Sequence, residues 1–302
     1  MMQHKRLGRT GWQVSAMGLG GAALGDEFGA ISPAQAADTV AAARDAGINF
    51  FDTAAQYGLG ESERRMGAAL KPYRRDVILA TKAVMRGTPY DYTTTMKSVH
   101  DSLTRLQTDY IDLIQLHEAE TTTFDVAIDG CLRAFADLKK AGVVRAIGVN
   151  GRDIATLLPY IESGLIDTTL VFCRYMLIDT TIVDALIPAT RHHDVAIING
   201  SPLGMGLLTD VPAPFLRDDT ALLAEVARRK MHIAHLARPG ANGFVEPALR
   251  YSLTHPDIAV TLTGAAHPDV LHANLAFCDG KGPSVAERRH TEALFAGQKL
   301  FS

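Results

Sequence analysis

Three cysteines in 302 residues, at positions 131, 173 and 278, are too few, too scattered and odd in number for a disulfide framework or a zinc site. No apolar run approaches the ~20 residues needed to cross a bilayer. Met1–Arg6 has charges but no apolar stretch behind them, so no secretory signal is expected. The formal net charge of −3 leaves no basic footprint, and neither nucleic acid nor an anionic membrane surface is an expected partner. Proline-rich linkers, low-complexity tracts and fixed-period repeats are missing too, and with them any reason to divide residues 1–302 into more than one domain. No GxGxxG opens a helix after a strand, and there is no GxxxxGK[ST], so the common phosphate loops are excluded. What is left is an ordinary soluble composition, 47% hydrophobic and 21% charged, long enough to bury a large core. A cytoplasmic location is expected.

What the chain has is alternation. Strand-like apolar runs fall at Ala16–Gly21, Ile48–Asp52, Val77–Lys82, Tyr110–His117, Val144–Asn150, Thr169–Cys173, Val195–Asn199 and Ile258–Gly264. Helical stretches separate them. The first opens on Ser32-Pro33, an N-cap with proline at the first helical position, and closes at Gly47. Others cover Glu61–Leu70, Thr93–Leu106, Asp125–Ala141, Asp153–Glu162, Thr180–His192, Asp219–Lys230 and Phe244–Thr254, with Cys131 and Cys278 packed in helices. Alternation of this kind implies right-handed βαβ units and a parallel sheet. Eight units in about 250 residues match a (β/α)8 barrel better than an open sheet. Residues 5–14 read as a β-hairpin able to plug the barrel floor, and a polar tail with a last helix over Ser284–Gly297 follows Gly280.

Four polar residues stand at or just past strand ends: Asp52, Tyr57, Lys82 and His117. A lysine and an aspartate at the ends of buried strands are costly without a partner. A phenol with a pKa near ~10 is a poor base at neutral pH. A neighbouring ammonium lowers that value, and a carboxylate behind it holds the ammonium in place. Asp52, Lys82 and Tyr57 thus compose a proton relay for a carbonyl or hydroxyl group, with His117 placed to orient the same oxygen. The alternative for each residue alone is a buried salt bridge and a wet rim, but a cluster of four at strand ends of a barrel points to function. The pairs His232/His235 and His192-His193 lack a third ligand and read as solvated helix ends; no metal is expected.

Side chains supply no hydride, so this relay requires a cofactor. Glycines cluster after the seventh strand, in the Ser201–Leu208 segment that holds Leu203, Gly204 and Gly206. The eighth strand ends in Gly264-Ala265-Ala266 before a helix start at His267-Pro268-Asp269. Loops in these positions of a barrel often hold phosphate through backbone N–H groups.

These residues carry a resemblance. Phe51–Gly58 with Glu61, then Thr81-Lys82 and Leu116-His117, resemble the signatures of the aldo-keto reductases in order and type, over Arg6 to about Ala276. Leu7–Gly11, Gly25–Gly29, Phe172–Tyr175 with Asp179–Thr181, and Ser201–Thr209 are similar to the branch of L-galactose and aldose 1-dehydrogenases. The resemblance implies a (β/α)8 barrel that binds a nicotinamide dinucleotide in extended form, with Asp52, Tyr57, Lys82 and His117 catalytic. It places Asn150 against the carboxamide, Ser201, Leu203, Gly204, Gly206, Gly264 and Ala266 along the dinucleotide, and Asn274 at the adenine. Two departures stand out: Phe172 replaces the usual glutamine, and Gly200 stands where an aromatic stacks on the nicotinamide. With no Arg or Lys beside Ala266 and Val270, a 2′-phosphate would be poorly paired, so NAD is expected over NADP. The expected activity is oxidation of an aldose (L-galactose, L-fucose or D-arabinose type) at C1 to its lactone. The rivals are an NADPH-dependent carbonyl or aldehyde reductase and a nucleotide-sensing regulatory subunit.

Overall fold

The computed structural model describes residues 2–301. The chain begins with an antiparallel hairpin, β1 (His4–Arg6) and β2 (Gln13–Ser15). Eight parallel strands then close into a barrel: β3 (Met17–Gly20), β4 (Phe50–Asp52), β5 (Ile78–Ala83), β6 (Ile111–Leu116), β7 (Val144–Gly151), β8 (Thr168–Phe172), β9 (Ala196–Gly200) and β10 (Ile258–Gly264). They follow one another round the ring in chain order, and β10 pairs back onto β3. This is the (β/α)8 architecture, and each strand lies where the apolar runs put it.

Burial on both faces explains why those runs are continuous rather than alternating. Outward side chains such as Leu79, Ile114, Val149, Val171 and Ile197 pack beneath the helices. Inward ones, including Phe50, Ala80, Leu113, Ala146, Leu170, Ile198 and Val260, fill the barrel. Leu7, Val14 and Trp12 of the hairpin join that inner cluster and close it from below. The Lys5 ammonium fastens the hairpin by donating to three carbonyls, those of Leu253, His255 and Ile258, each at 2.8 Å.

The helices start where capping chemistry places them. Ser32, Asp91, Asp153 and Asp219 accept from backbone N–H groups at the starts of α1 (Pro33–Asp45), of the Tyr92–Leu106 helix, of the Ile154–Glu162 helix and of the Thr220–His232 helix. In chain order the set is α1, α2 (Glu61–Leu70), α3 (Tyr92–Leu106), α4 (Phe124–Ala127), α5 (Arg133–Lys140), α6 (Ile154–Glu162), α7 (Leu186–His193), α8 (Thr220–His232), α9 (Val245–Leu253), α10 (Pro268–Leu275) and α11 (Val285–Leu294). A π-turn at Ile128–Leu132 joins α4 to α5 and holds Cys131; Cys278 lies past the end of α10, not in a helix.

The helix expected over Thr180–His192 begins only at Leu186. Residues 181–185 are turns, because Asp179 takes the backbone N–H and hydroxyl of Thr181 and Thr180 donates to the Glu292 carbonyl. The tail is less polar than expected. Leu300 and Phe301 are buried, held by Arg174 on the Phe301 carbonyl (2.8 Å), by Asp179 on the Leu300 N–H (2.8 Å) and by Arg229 on the Gln298 carbonyl (2.8 Å). Among the described residues no helix is long and apolar enough to cross a membrane, and no cluster of metal-ligating side chains exists.

Candidate active site

The four residues picked from the sequence meet at the C-terminal ends of the neighbouring strands β4, β5 and β6 and in the loops that follow them. Asp52 ends β4 and Lys82 lies on β5, with the Lys82 Nζ 2.5 Å from Asp52 Oδ2 and 2.8 Å from the Thr53 carbonyl. Both side chains are sealed from solvent. Gln115 on β6, which the sequence reading passed over, donates to the second Asp52 oxygen at 2.8 Å. Burial pushes the Asp52 carboxyl up, against the pull of Lys82 and Gln115. Burial also works against the Lys82 charge, but Asp52 and Tyr57 outweigh it and hold the ammonium above the ordinary lysine value.

Tyr57 reaches this pair from the loop after β4. That loop still pairs with β5 through Thr53 N–H to the Ala80 carbonyl (2.9 Å) and Ala55 N–H to the Lys82 carbonyl (3.3 Å). It is wedged against the loop after β3: a Cβ on Gly25 would lie 2.7 Å from the Tyr57 carbonyl carbon, and one on Gly58 2.5 Å from the Gly25 oxygen. Glu27 Oε1 accepts the Gly58 N–H at 3.1 Å. The Gly25–Gly29 segment therefore sets the height of Tyr57, a role its sequence does not announce. Lys82 Nζ stands 4.8 Å from the centroid of the Tyr57 ring. Burial pushes the phenol above its ordinary value of 10.0, and the opposing pull of Lys82 does not overcome it. The depressed phenol expected from the sequence is thus corrected: desolvation wins.

His117, just past β6, meets the Tyr57 ring edge-on with centroids 6.0 Å apart. Burial first, and the Lys82 charge second, push its imidazole down to about 3. It is neutral at any ordinary pH and acts as a hydrogen-bonding group, not a cation.

The rim carries a second ion pair, Arg86–Glu118, bonded through both carboxylate oxygens. Burial opposes the Glu118 charge, but Arg86 holds its carboxyl below the usual glutamate range. Asn150, on β7, is buried and locked in place: its Oδ1 takes the Glu118 N–H and its Nδ2 donates to the Leu170 carbonyl, both at 3.3 Å. Gly200 pairs in register with Phe172, and a Cβ there would lie 3.0 Å from the Phe172 Cβ. The glycine leaves room beside a half-buried phenylalanine, so the aromatic surface at this point sits on β8 rather than β9. Cys173 is buried, with its thiol pushed up to about 12 by burial, and is inert. Val84, Glu118, Cys173 and Ser201, each one or two residues past a strand end, all adopt left-handed backbone, with φ of 72°, 50°, 56° and 55°.

A dinucleotide would lie along the loops after β9 and β10, and the residues there fit one. Ser201, Gly204, Met205 and Gly206 all have positive φ, and the N–H groups of Leu203, Met205 and Gly206 donate to no acceptor among the described residues. The N–H groups of Ala265, Ala266 and His267 are similarly unspent, while the Ala266 carbonyl is fixed by Gln35 of α1 at 2.9 Å. Free amides in left-handed turns form the concave donor sets that hold phosphates. Gly264 faces open space, and Asn274 is buried on α10. Residues 195–216 and 258–280 contain no Lys or Arg. These two segments offer backbone dipoles to a pyrophosphate and no guanidinium or ammonium of their own to an added phosphate.

Comparison with known proteins agrees with this geometry. The aldo/keto reductase family matches residues 16–282. The chain is similar to L-galactose dehydrogenase of Arabidopsis thaliana, 35% identical over 90% of this chain and 86% of that protein. It is also similar to D-threo-aldose 1-dehydrogenase of a Pseudomonas species, 29% identical over 89% and 90%. Among solved structures, the holo form of an aldo-keto reductase from Bacillus halodurans superposes with a TM-score of 0.80 at 29% identity, covering 97% of this chain and 96% of that one. Barrel and sequence agree: the chain belongs to the aldo/keto reductase family, and is an oxidoreductase that works with a nicotinamide cofactor.

Proposed function

We propose that the enzyme oxidises a small aldose at C1 to its lactone, with NAD as the hydride acceptor. The observation that carries the chemistry is the sealed chain Asp52–Lys82–Tyr57 beside a neutral His117. Tyr57 takes the proton of the anomeric hydroxyl. Lys82 stabilises the phenolate, Asp52 holds Lys82, and His117 steadies the reacting oxygen by a hydrogen bond that its neutral ring can make at every working pH. A bound oxidised nicotinamide would supply the hydride acceptor for C1 and a positive charge that favours the phenolate. Leu203, Gly204, Gly206, Ser201, Gly264 and Ala266 would hold the dinucleotide, with Asn150 at the carboxamide and Asn274 at the adenine. The two aldose dehydrogenases among the relatives support the sugar, and the absence of Lys and Arg from residues 258–280 supports NAD.

One observation favours a second reading. In this structure the Tyr57 phenol is raised, so it is protonated at neutral pH and poised as an acid toward a carbonyl. That is the state an NADPH-dependent aldehyde reductase needs. A panel of aldoses with NAD, against a panel of aldehydes with NADPH, separates the two by the absorbance of the reduced cofactor. Aldose-dependent NADH formation with faster turnover than any aldehyde reduction is the expected result. Turnover of aldehydes with NADPH alone overturns the aldose assignment.

A further inference from the structure

Asp52 gives one carboxylate oxygen to Lys82 and the other to Gln115. Gln115 is wholly buried on the inward face of β6, two residues before His117. Its own Oε1 has no hydrogen-bond partner among the described residues, nor has Thr168 Oγ1. Between the two lies Gly148, whose Cβ would collide with that hydroxyl and come within 3.1 Å of Gln115 Cγ. A leucine or methionine would fill the same space with no orphaned acceptor, so the amide costs stability where it stands. Its orientation is set by charge: turned over, Oε1 would face the Asp52 carboxylate oxygen at hydrogen-bond distance.

We propose that Gln115 is a positioning residue for the proton relay: its N–H keeps Asp52 ionised and turned toward Lys82, so that Lys82 remains an ammonium beside Tyr57. The proposal rests on Tyr57 being the acid–base group. In a dry Asp–Lys pair the shared proton can sit on either partner, and burial favours the neutral arrangement. Hydrogen bonds donated to the carboxylate and accepted from the ammonium favour the charged one. Gln115 supplies the first and the Thr53 carbonyl the second, at 2.8 Å each. Among the described residues, Lys82 and Gln115 are the side chains that bond Asp52. The other titratable groups bearing on the pair, or on the rings beside it, are Tyr57 from the loop after β4, His117 and Glu118 from the loop after β6, and Arg86 from the loop after β5. His117 is neutral, and Glu118 and Arg86 pair with each other.

Two variants test it. Gln115→Met should lower kcat by about tenfold, the factor set by one charge-assisted hydrogen bond, leave KM near wild type, and move the Tyr57 ionisation in the kcat/KM profile upward. Gln115→Glu should be active where the introduced carboxyl is protonated and donates, then lose activity as pH rises through its ionisation. A filler of space would give no such limb. A folded Gln115→Met enzyme with the wild-type profile overturns the proposal, and so does a Gln115→Glu profile parallel to wild type; if the Met variant does not fold, the Glu variant decides. A readout without turnover separates this from the assigned activity. The infrared carbonyl band of a protonated buried carboxyl should appear in Gln115→Met, be absent from wild type, and vanish when Asp52→Asn is added. Its failure to appear refutes the role of Gln115 even if every aldose is turned over; its appearance supports that role even if none is.

Discussion

Two ion pairs sit a few residues apart at the same end of the barrel. Lys82 and Asp52 expose 1% and 3% of their side chains, whereas Arg86, paired with Glu118, leaves 68% of its own in solvent. The first pair hangs from adjacent strands whose backbones are hydrogen-bonded in register, Asp52 beside Ala80 on β5. The second joins two loops. Breaking a buried pair costs about 3–5 kcal/mol because the remaining charge is stranded, while an exposed pair contributes about 0–1 kcal/mol. The pair that holds the ammonium is placed on strands, while Tyr57, His117 and the Arg86–Glu118 pair stand in the loops that follow them.

The hardest blow to that contrast is Lys82→Met. It should abolish measurable turnover and, by stranding Asp52, lower stability by about 3–5 kcal/mol. Denaturant titration and a turnover assay read both; a Met variant as stable as wild type would place the pair in a far wetter environment than the barrel offers. Tyr57→Phe should lower kcat by about 10²-fold or more with cofactor affinity and stability close to wild type, as measured by single-turnover kinetics and nucleotide titration. Undiminished turnover would exclude Tyr57 from the acid–base role.

On the loop side, Ala266→Arg adds a planar donor pair for a 2′-phosphate. It should shift the NADP/NAD ratio of kcat/KM by roughly 10- to 150-fold, toward the low end where solvent screens the guanidinium. A wild type that already prefers NADP would mean that His267, His272 or another loop reads the phosphate.

A separate effect is on the pH dependence of stability. His117 is pushed down from 6.5 to about 3 and His255 to about 4, burial leading in both. Between 6.5 and those lowered values the unfolded chain binds the protons that the folded chain refuses, so stability is complete above pH 6.5 and falls as pH drops toward about 4 for His255 and about 3 for His117. Thermal melts should show that decline, and His117→Phe should make it shallower; an unchanged slope would mean that His117 takes up its proton in the folded state.

Strands were legible because burial on both faces writes them as largely apolar runs such as Ile111–Leu116, all six buried, with Asp112 and Gln115 the two polar members. Helix starts were legible where an oxygen caps them, as at Ser32, Asp153 and Asp219. The charged residues of the site stood out because a lysine or aspartate at a buried strand end needs a reason. Gln115 did not, since a neutral amide in an apolar run carries no such alarm, and only the 2.8 Å bond to Asp52 shows what it touches. The wedge of Gly25 against Gly58 was hidden for another reason: two loops that are distant in sequence meet there backbone against backbone, with the Glu27 carboxylate on the Gly58 N–H. The misplaced helix at Thr180 shares that cause, because the turns there are held by Glu292, more than a hundred residues on.

The left-handed residues past the strand ends have a consequence for anyone who hardens this enzyme by directed evolution. Val84, Glu118, Cys173 and Ser201 each hold a conformation that glycine adopts at about 1–2 kcal/mol less cost. A screen for heat resistance alone would be drawn to glycine at Glu118 or Ser201. Each such gain would delete a side chain from the mouth and free the loop that carries it, so thermal tolerance would be obtained at the expense of selectivity. Screening for residual turnover after heating, on two competing substrates, would keep those positions as they are.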